Sequence, residues 1–199
     1  MPLLRNDAID YDVHLGLWEM TEHPSAFPAL YEEACHIFRS EVRQREYVCV
    51  RALLREMTND PTMTITHLSS GKPVLSNGWH ISISHTKGYC CVILSPTQEV
   101  GVDIEYMSDR VSTIVHKFLR TDEHAVTVVS QLIHWSVKET LFKLFSDDAL
   151  QFEEMRLLPF AEKTNGTLLA ENLKRNAAIV VSYEIHNNFV LTYAKMSSK

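Results

Sequence analysis

Apolar and polar positions alternate over some stretches of this chain and recur at helical spacing over others, and the two patterns hardly overlap. Val13, Leu15 and Leu17 alternate with His14, Gly16 and Trp18, which predicts a first strand ending near Thr21. Pro24, Ser25 and Pro28 mark a turn and a helix start, and Phe27, Leu30, Tyr31, Ala34 and Phe38 then share one helical face. A second helix is predicted over about residues 41–58, with Val48, Ala52, Leu53 and Met57 toward the core. Asn59-Asp60-Pro61 breaks it. Short strands follow at Thr64 to His67, Val74-Leu75, Trp79 to Ser84 and Tyr89 to Leu94, with His85-Thr86-Lys87-Gly88 as an interruption. They read as an antiparallel meander whose loops carry Ser69-Ser70-Gly71-Lys72-Pro73 and Ser76-Asn77-Gly78.

One more strand, Val100 to Glu105, precedes a change of pattern. Val111, Ile114, Val115 and Phe118 suit a helix, Thr121-Asp122 can cap another through Val128, and a third runs from about Gln131 to Phe145. Late strands are predicted at Phe152 to Leu158, Thr167 to Ala170, Ala177 to His186 and Phe189 to Ala194, the last two joined by Asn187-Asn188 as a hairpin. The order of elements predicts an α+β fold of two halves, residues 1–96 and 97–199, joined near Pro96 and each with an antiparallel sheet packed on helices. No sequence self-similarity links the halves, so a duplicated architecture rests on element order alone.

Composition narrows the function. The chain is 45% hydrophobic and 22% charged, which is ordinary for a globular protein. A formal net charge of −6 argues against nucleic acid as a partner, and any anionic ligand needs a local cluster of cations or a metal. Cys35, Cys49, Cys90 and Cys91 have neither CxxC nor metal-ligand spacing, and neighbouring Cys90 and Cys91 face opposite ways in a strand, so free thiols are expected. The opening residues hold no apolar signal core and no later run is long enough to span a bilayer; a cytoplasmic, non-membrane protein is expected.

The chemistry gathers in two short stretches. In Val100-Gly101-Val102-Asp103-Ile104-Glu105, Asp103 and Glu105 point to one face and repel each other unless water or a cation intervenes. Gly101 lets another backbone or a ligand come close. In Trp135-Ser136-Val137-Lys138-Glu139-Thr140-Leu141-Phe142-Lys143, Glu139 and Lys143 share a helix face, while Trp135, Leu141, Phe142 and Phe145 make the helix strongly apolar. If Glu139 meets Asp103 and Glu105, three carboxylates can bind a hard divalent cation such as Mg²⁺, with Lys143 beside a substrate phosphate. That is apparatus for displacement at phosphorus. Gly71-Lys72-Pro73 adds a close-approach glycine and a stiffened cation, and Ser82-Ile83-Ser84-His85 adds two hydroxyls on one strand face with a histidine at its end.

Gly71-Lys72-Pro73, Ile81-Ser82-Ile83-Ser84-His85-Thr86, Val100 to Glu105 and Trp135-Ser136-Val137-Lys138-Glu139 with Lys143 together resemble the 4′-phosphopantetheinyl transferase superfamily. The chain length resembles that of its larger, pseudo-dimeric branch, the surfactin-synthetase-activating type. The resemblance implies a monomer of two similar halves with coenzyme A in the cleft between them. It implies that Asp103, Glu105 and Glu139 hold Mg²⁺ on the pyrophosphate, that Lys143 contacts the phosphates and that Ser84 and His85 contact the coenzyme. Gly71, Lys72 and Pro73 would lie along the nucleotide and its 3′-phosphate, joined there by Arg43 or Arg45 of the second helix, with Arg51 an alternative. The implied reaction carries phosphopantetheine from coenzyme A to a serine of an apo acyl or peptidyl carrier protein, with Glu139 as general base.

The chain departs from the family pattern at Thr86, where serine is common, and at Ser146-Asp147-Asp148-Ala149, where many members carry a Gly-Lys-Gly-like loop. Two other functions compete. A coenzyme-binding scaffold without turnover fits less well, because all three acids and Lys143 are present. Another metal-dependent phosphotransferase or pyrophosphate hydrolase accounts for the acids but not for the joint presence of the Gly-Lys-Pro, Ser-His and Trp-x-x-Lys-Glu stretches.

Overall fold

A computed structural model describes residues 3–196. The chain divides into two compact units, Met1–Thr97 and Gln98–Lys199. The first contains, in chain order, β1 (Leu3–Asp10), β2 (Val13–Glu19), α1 (Pro28–Ile37), α2 (Glu41–Thr58), β3 (Ile65–His67), β4 (Pro73–Leu75), β5 (His80–Thr86) and β6 (Tyr89–Ser95). Four strands form an antiparallel sheet in the order β1-β2-β6-β5, and β3 and β4 form a separate pair. Proline at its first helical positions starts α1, where a missing N–H costs nothing, and α2 stops at Asn59, which takes the left-handed conformation with φ 50°. The stripe Val48, Cys49, Ala52 and Leu53 of α2 buries against Trp18, Cys90, Val92 and Leu94 of the sheet. A fully buried valine or leucine of this stripe, such as Val48 or Leu53, contributes roughly 1.5–3 kcal/mol.

The second unit contains β7 (Val100–Tyr106), α3 (Arg110–Phe118), α4 (Val128–Leu144), β8 (Met155–Leu157), β9 (Asn165–Asn172), β10 (Ala177–Ile185) and β11 (Phe189–Lys195). Its antiparallel sheet runs β7-β11-β10-β9-β8, so the first strand lies beside the last. Helix α4 packs on β7 and β11 through buried hydroxyls as well as aliphatics: Thr192 Oγ1 lies 2.9 Å from Ser136 Oγ and 2.6 Å from Thr140 Oγ1. A Cβ on Gly101 would overlap the Thr140 carbonyl and press on Leu144. The close approach expected at Gly101 is therefore that of the α4 backbone.

Several expected elements take another form. Strand β1 is absent from the pattern read above, because Arg5, Asn6, Asp7 and Asp10 on an edge strand break the alternation. The first sheet is not a simple meander, since β2 lies between β1 and β6. No helix forms between Thr121 and Val128; Thr127 caps α4 instead, accepting from Ser130 N while Ser130 Oγ accepts from the Thr127 N–H. Residues Phe152–Glu154 form a 3₁₀ turn, leaving Met155–Leu157 as the strand. His85 and Thr86 continue β5, and Lys87-Gly88 alone makes the turn, with Gly88 at φ +83°. A Cβ on Gly71 would meet nothing within 4 Å, so this glycine serves its φ of +87° and not a close approach within the chain.

Candidate functional site

In β7, Asp103 pairs with Thr192 and Glu105 with Val190, which puts both acids on the sheet face that α4 covers. That face is not solvated: Asp103 is 3% exposed. Two charges need compensation there, and α4 supplies it from residues about two turns apart. Lys143 Nζ donates to Asp103 Oδ1 at 2.8 Å and to the Val102 carbonyl at 3.0 Å. Ser136 Oγ donates to Asp103 Oδ2 at 2.8 Å, and Trp135 Nε1 donates to Glu105 Oε1 at 2.7 Å. The helix that sequence reading treated as the source of Glu139 and Lys143 thus also orients the two strand acids.

The acids feel one another. Burial first, and then the charge of Asp103, push the Glu105 carboxyl up to about 7, against the pull of the Trp135 hydrogen bond. Burial and then Asp103 also raise Glu139, while Lys143 lowers it. Asp103, Glu105, Glu139 and Lys143 therefore form one electrostatic group. Among the described residues, no set of three or more His, Cys, Asp or Glu side chains is arranged as a ready metal cage. Their donor chemistry is nevertheless that of hard carboxylate oxygens, which suits Mg²⁺, an ion that takes one or two carboxylates and completes its shell with water and phosphate.

A stability effect follows from Glu105. Folded protein keeps the Glu105 proton up to about pH 7, whereas an unfolded Glu releases it near 4.5. Between those values the folded state binds more protons, so stability falls as pH rises. In metal-free buffer the melting temperature should drop by a few degrees between pH 5 and 8, and Glu105→Gln should flatten that slope. An unchanged slope in Glu105→Gln would contradict the assignment.

Lys138, beside Glu139 in sequence, does something different. It is fully buried and donates to the Phe118 carbonyl at 2.6 Å, to Glu123 Oε2 at 2.7 Å and to the Phe152 carbonyl at 3.4 Å. Glu123 also accepts from Leu157 N at 2.7 Å and Arg120 N at 3.0 Å. Four segments (the end of α3, the loop after it, the 3₁₀ turn and β8) are tied to α4 at this one ion pair. Sequence reading missed Glu123; its only signal is an acid fifteen residues before a lysine in an apolar helix.

In the first unit, Arg43 Nη1 donates to Glu46 Oε2 at 3.1 Å, and His85 Nδ1 lies 3.4 Å from Glu46 Oε1. A candidate phosphate contact on α2 and a candidate coenzyme contact on β5 thus meet at a single carboxylate that sequence reading did not single out. Arg45 is exposed on α2. Arg51 is taken up internally: its guanidinium lies 3.4 Å from the centre of the Tyr47 ring and donates to the Tyr47 and Ile65 carbonyls, each at 3.5 Å. Ser84 is buried and, as the strand neighbour of His85, projects to the opposite face. Gly71, Lys72 and Pro73 form the turn into β4, closed by Leu68 N donating to the Lys72 carbonyl at 2.9 Å.

Residues 99–194 match the family model of the 4′-phosphopantetheinyl transferase superfamily, and residues 38–95 match that of the 4′-phosphopantetheinyl transferase N-terminal domain. Both units match domains of phosphopantetheinyl transferases. The matches support a transferase of this type. They cover β7 and α4 with Asp103, Glu105, Glu139 and Lys143, and also Arg43, Arg45, Lys72 and His85. Comparison with curated proteins gives no match.

Against the phosphopantetheinyl transferase pattern, one acid of the segment after α4, Asp148, is engaged internally. Asp148 Oδ1 accepts from Arg175 Nη2 at 2.6 Å, Asp148 Oδ2 from Asn172 Nδ2 at 2.8 Å and the Asp148 carbonyl from Lys174 Nζ at 2.7 Å. The carboxylate is thereby locked to the β9–β10 turn; burial alone would raise it, but the hydrogen bonds from Arg175 and Asn172, with the charges of Arg175 and Lys174, hold it below the ordinary range. Among the described residues no helix is long and apolar enough to cross a membrane.

Proposed function

We propose that this chain transfers the 4′-phosphopantetheine group of coenzyme A to a serine hydroxyl of an apo acyl or peptidyl carrier protein, with Mg²⁺, releasing 3′,5′-adenosine bisphosphate. The observation that carries the reading is the group formed by Asp103, Glu105, Glu139 and Lys143, held on α4 and β7 inside the stretch that matches the superfamily. Buried acids that raise one another's pKa, with a single lysine against Asp103, make a site that gains from a further cation.

Asp103, Glu105 and Glu139 would hold the Mg²⁺, which when bound supplies charge neutralisation on the pyrophosphate oxygens. Ser136 and Trp135 fix the rotamers of Asp103 and Glu105. Glu139, more basic than an exposed glutamate, takes the proton of the attacking serine. The serine oxygen bonds to the β-phosphorus as the bond from that phosphorus to the bridging oxygen breaks, and the bisphosphate leaves with that oxygen. Lys143 stands one turn from Glu139 to meet the phosphate charge. In the other unit, Arg43, Arg45 and Lys72 with Gly71 and Pro73 serve the 3′-phosphate and nucleotide, and Ser84 and His85 the coenzyme. One chain then supplies both residue sets, as in the larger, pseudo-dimeric branch, and works as a monomer.

The test is transfer itself. Incubated with coenzyme A, Mg²⁺ and apo carriers from fatty-acid, polyketide and peptide synthesis, the protein should add phosphopantetheine to at least one of them, as seen by intact mass. No adduct on any class of carrier would refute the proposal.

A further inference from the structure

The second unit also holds a cavity of about 350 Å³, formed by the start of α4, the loop before it and the segment that follows β8. It is lined by none of Asp103, Glu105, Glu139 and Lys143, and its size is in the range that takes small organic molecules. His134 of α4 lines it from within the fold, only 3% exposed. The Nδ1 of this histidine lies 2.7 Å from the Ser130 carbonyl, which can only accept, so the proton sits on Nδ1. Nε2 is left with a lone pair that meets no donor among the described residues. Burial lowers the pKa of the imidazole, against the pull of the Ser130 bond, so the ring stays neutral and Nε2 stays an acceptor.

The other walls define what could meet that lone pair. Phe160 stands beside the imidazole with ring centres 5.7 Å apart, and Leu157 and Leu158 extend the apolar wall. Buried Tyr183 fixes the segment that carries Phe160: its hydroxyl donates to the Ala161 carbonyl at 3.1 Å and accepts from Lys163 N at 3.2 Å. The lining includes Asp122, Glu123 and Glu162 but no lysine or arginine. Lys138 neutralises Glu123, and Arg120 neutralises Asp122. Glu162 is exposed, and its described partner is the uncharged Thr127 hydroxyl at 2.9 Å. The unmet acceptor is therefore deep, and the uncompensated charge is at the mouth. Among the described residues no three His, Cys, Asp or Glu side chains gather as a metal site, so an organic ligand suits this cavity better than an ion.

We propose that this cavity binds a small arylalkylamine: a ring whose O–H or N–H donates to His134 Nε2 packs against Phe160, and an ammonium group lies near Glu162. The order of the parts follows from the depth of their partners. A neutral donor goes to the buried imidazole, because a cation taken that deep would lose its hydration and face the Lys138 ammonium, whose repulsion His134 already feels. The cation stays at the mouth, where water and Glu162 share it. This inference uses no residue assigned to coenzyme or metal above.

Tyramine carries all three parts and is the probe. Titrated into the full chain to millimolar concentration, it should bind saturably by calorimetry and shift the His134 ring signals in NMR spectra. Phenethylamine, which lacks the O–H, should bind about two- to tenfold more weakly. p-Cresol, which lacks the ammonium, should bind about two- to fivefold more weakly. Glu162→Gln should weaken tyramine by the latter factor and leave p-cresol unchanged, and His134→Phe should hold tyramine no better than phenethylamine. If His134→Phe does not fold, the wild-type ring shifts and the exposed Glu162→Gln variant still decide. No saturable tyramine binding by folded wild type, or binding that leaves the His134 signals unmoved, overturns the inference. Neither coenzyme nor carrier enters the measurement, so its failure and the failure of transfer are separate results.

Discussion

Glu139→Gln should lower kcat for phosphopantetheine transfer by about 10²–10⁴-fold, the usual contribution of a positioned general base. The amide keeps the shape and one acceptor oxygen but cannot take the serine proton. Because Glu139 sits in the middle of α4 and no described backbone hydrogen bond depends on its side chain, the helix should persist. Circular dichroism and melting should match the wild type, or show slight stabilisation, since burial and Asp103 already disfavour its charged form. The KM for coenzyme A should change less than kcat. A variant with full Mg²⁺-dependent turnover would move the base elsewhere and leave Glu139 a ligand at most.

Lys138→Met should cost roughly 3–5 kcal/mol of stability, the usual loss when one partner of a buried ion pair is removed. Methionine fills much of the aliphatic volume, so the loss comes from charge and hydrogen bonding. Glu123 would keep its bonds from Leu157 N and Arg120 N but lose its cation in a site where both side chains are fully buried. The Phe118 carbonyl would lose its lysine donor. Burial already pushes the Lys138 ammonium below the ordinary lysine range, and Glu123 pushes it back. Denaturant melts of Lys138→Met, Glu123→Gln and the double variant should show strong coupling, with the double variant less damaged than the sum. Additive losses would mean that the pair contributes no more than its two parts separately.

The contrast between these neighbours shows what the chain makes legible and what it hides. Asp103, Glu105, Glu139 and Lys143 are readable because strand alternation and helical spacing put them on definite faces, and β7 and α4 have strong apolar patterns. The partner of Lys138 is not readable. Glu123 lies in an irregular loop, where no periodicity says which way a side chain turns, and its tie to α4 depends on the folded chain. The same loop invited a helix from Thr121 through Val128, because Thr and Asp resemble a cap; Thr127 is the better cap and begins α4. Glu46 was hidden for another reason. A glutamate on a charged helix reads as solvated, and only the folded chain brings His85 of β5 to it. Arg51, the alternative that the resemblance offered on the second helix, stacks on Tyr47, which helical spacing does not announce. Strand β1 went unread because polar residues on an edge strand carry no pattern that distinguishes them from a loop.

The most direct measurement is the mass of an apo carrier protein after incubation with coenzyme A and this protein, in Mg²⁺ and, separately, with the metal chelated. A phosphopantetheine adduct that appears with wild type and Mg²⁺, and fails with chelation or with Glu139→Gln, is the predicted result. No adduct on any carrier class from folded, coenzyme-supplied protein, or an adduct that forms equally well without metal, would contradict it.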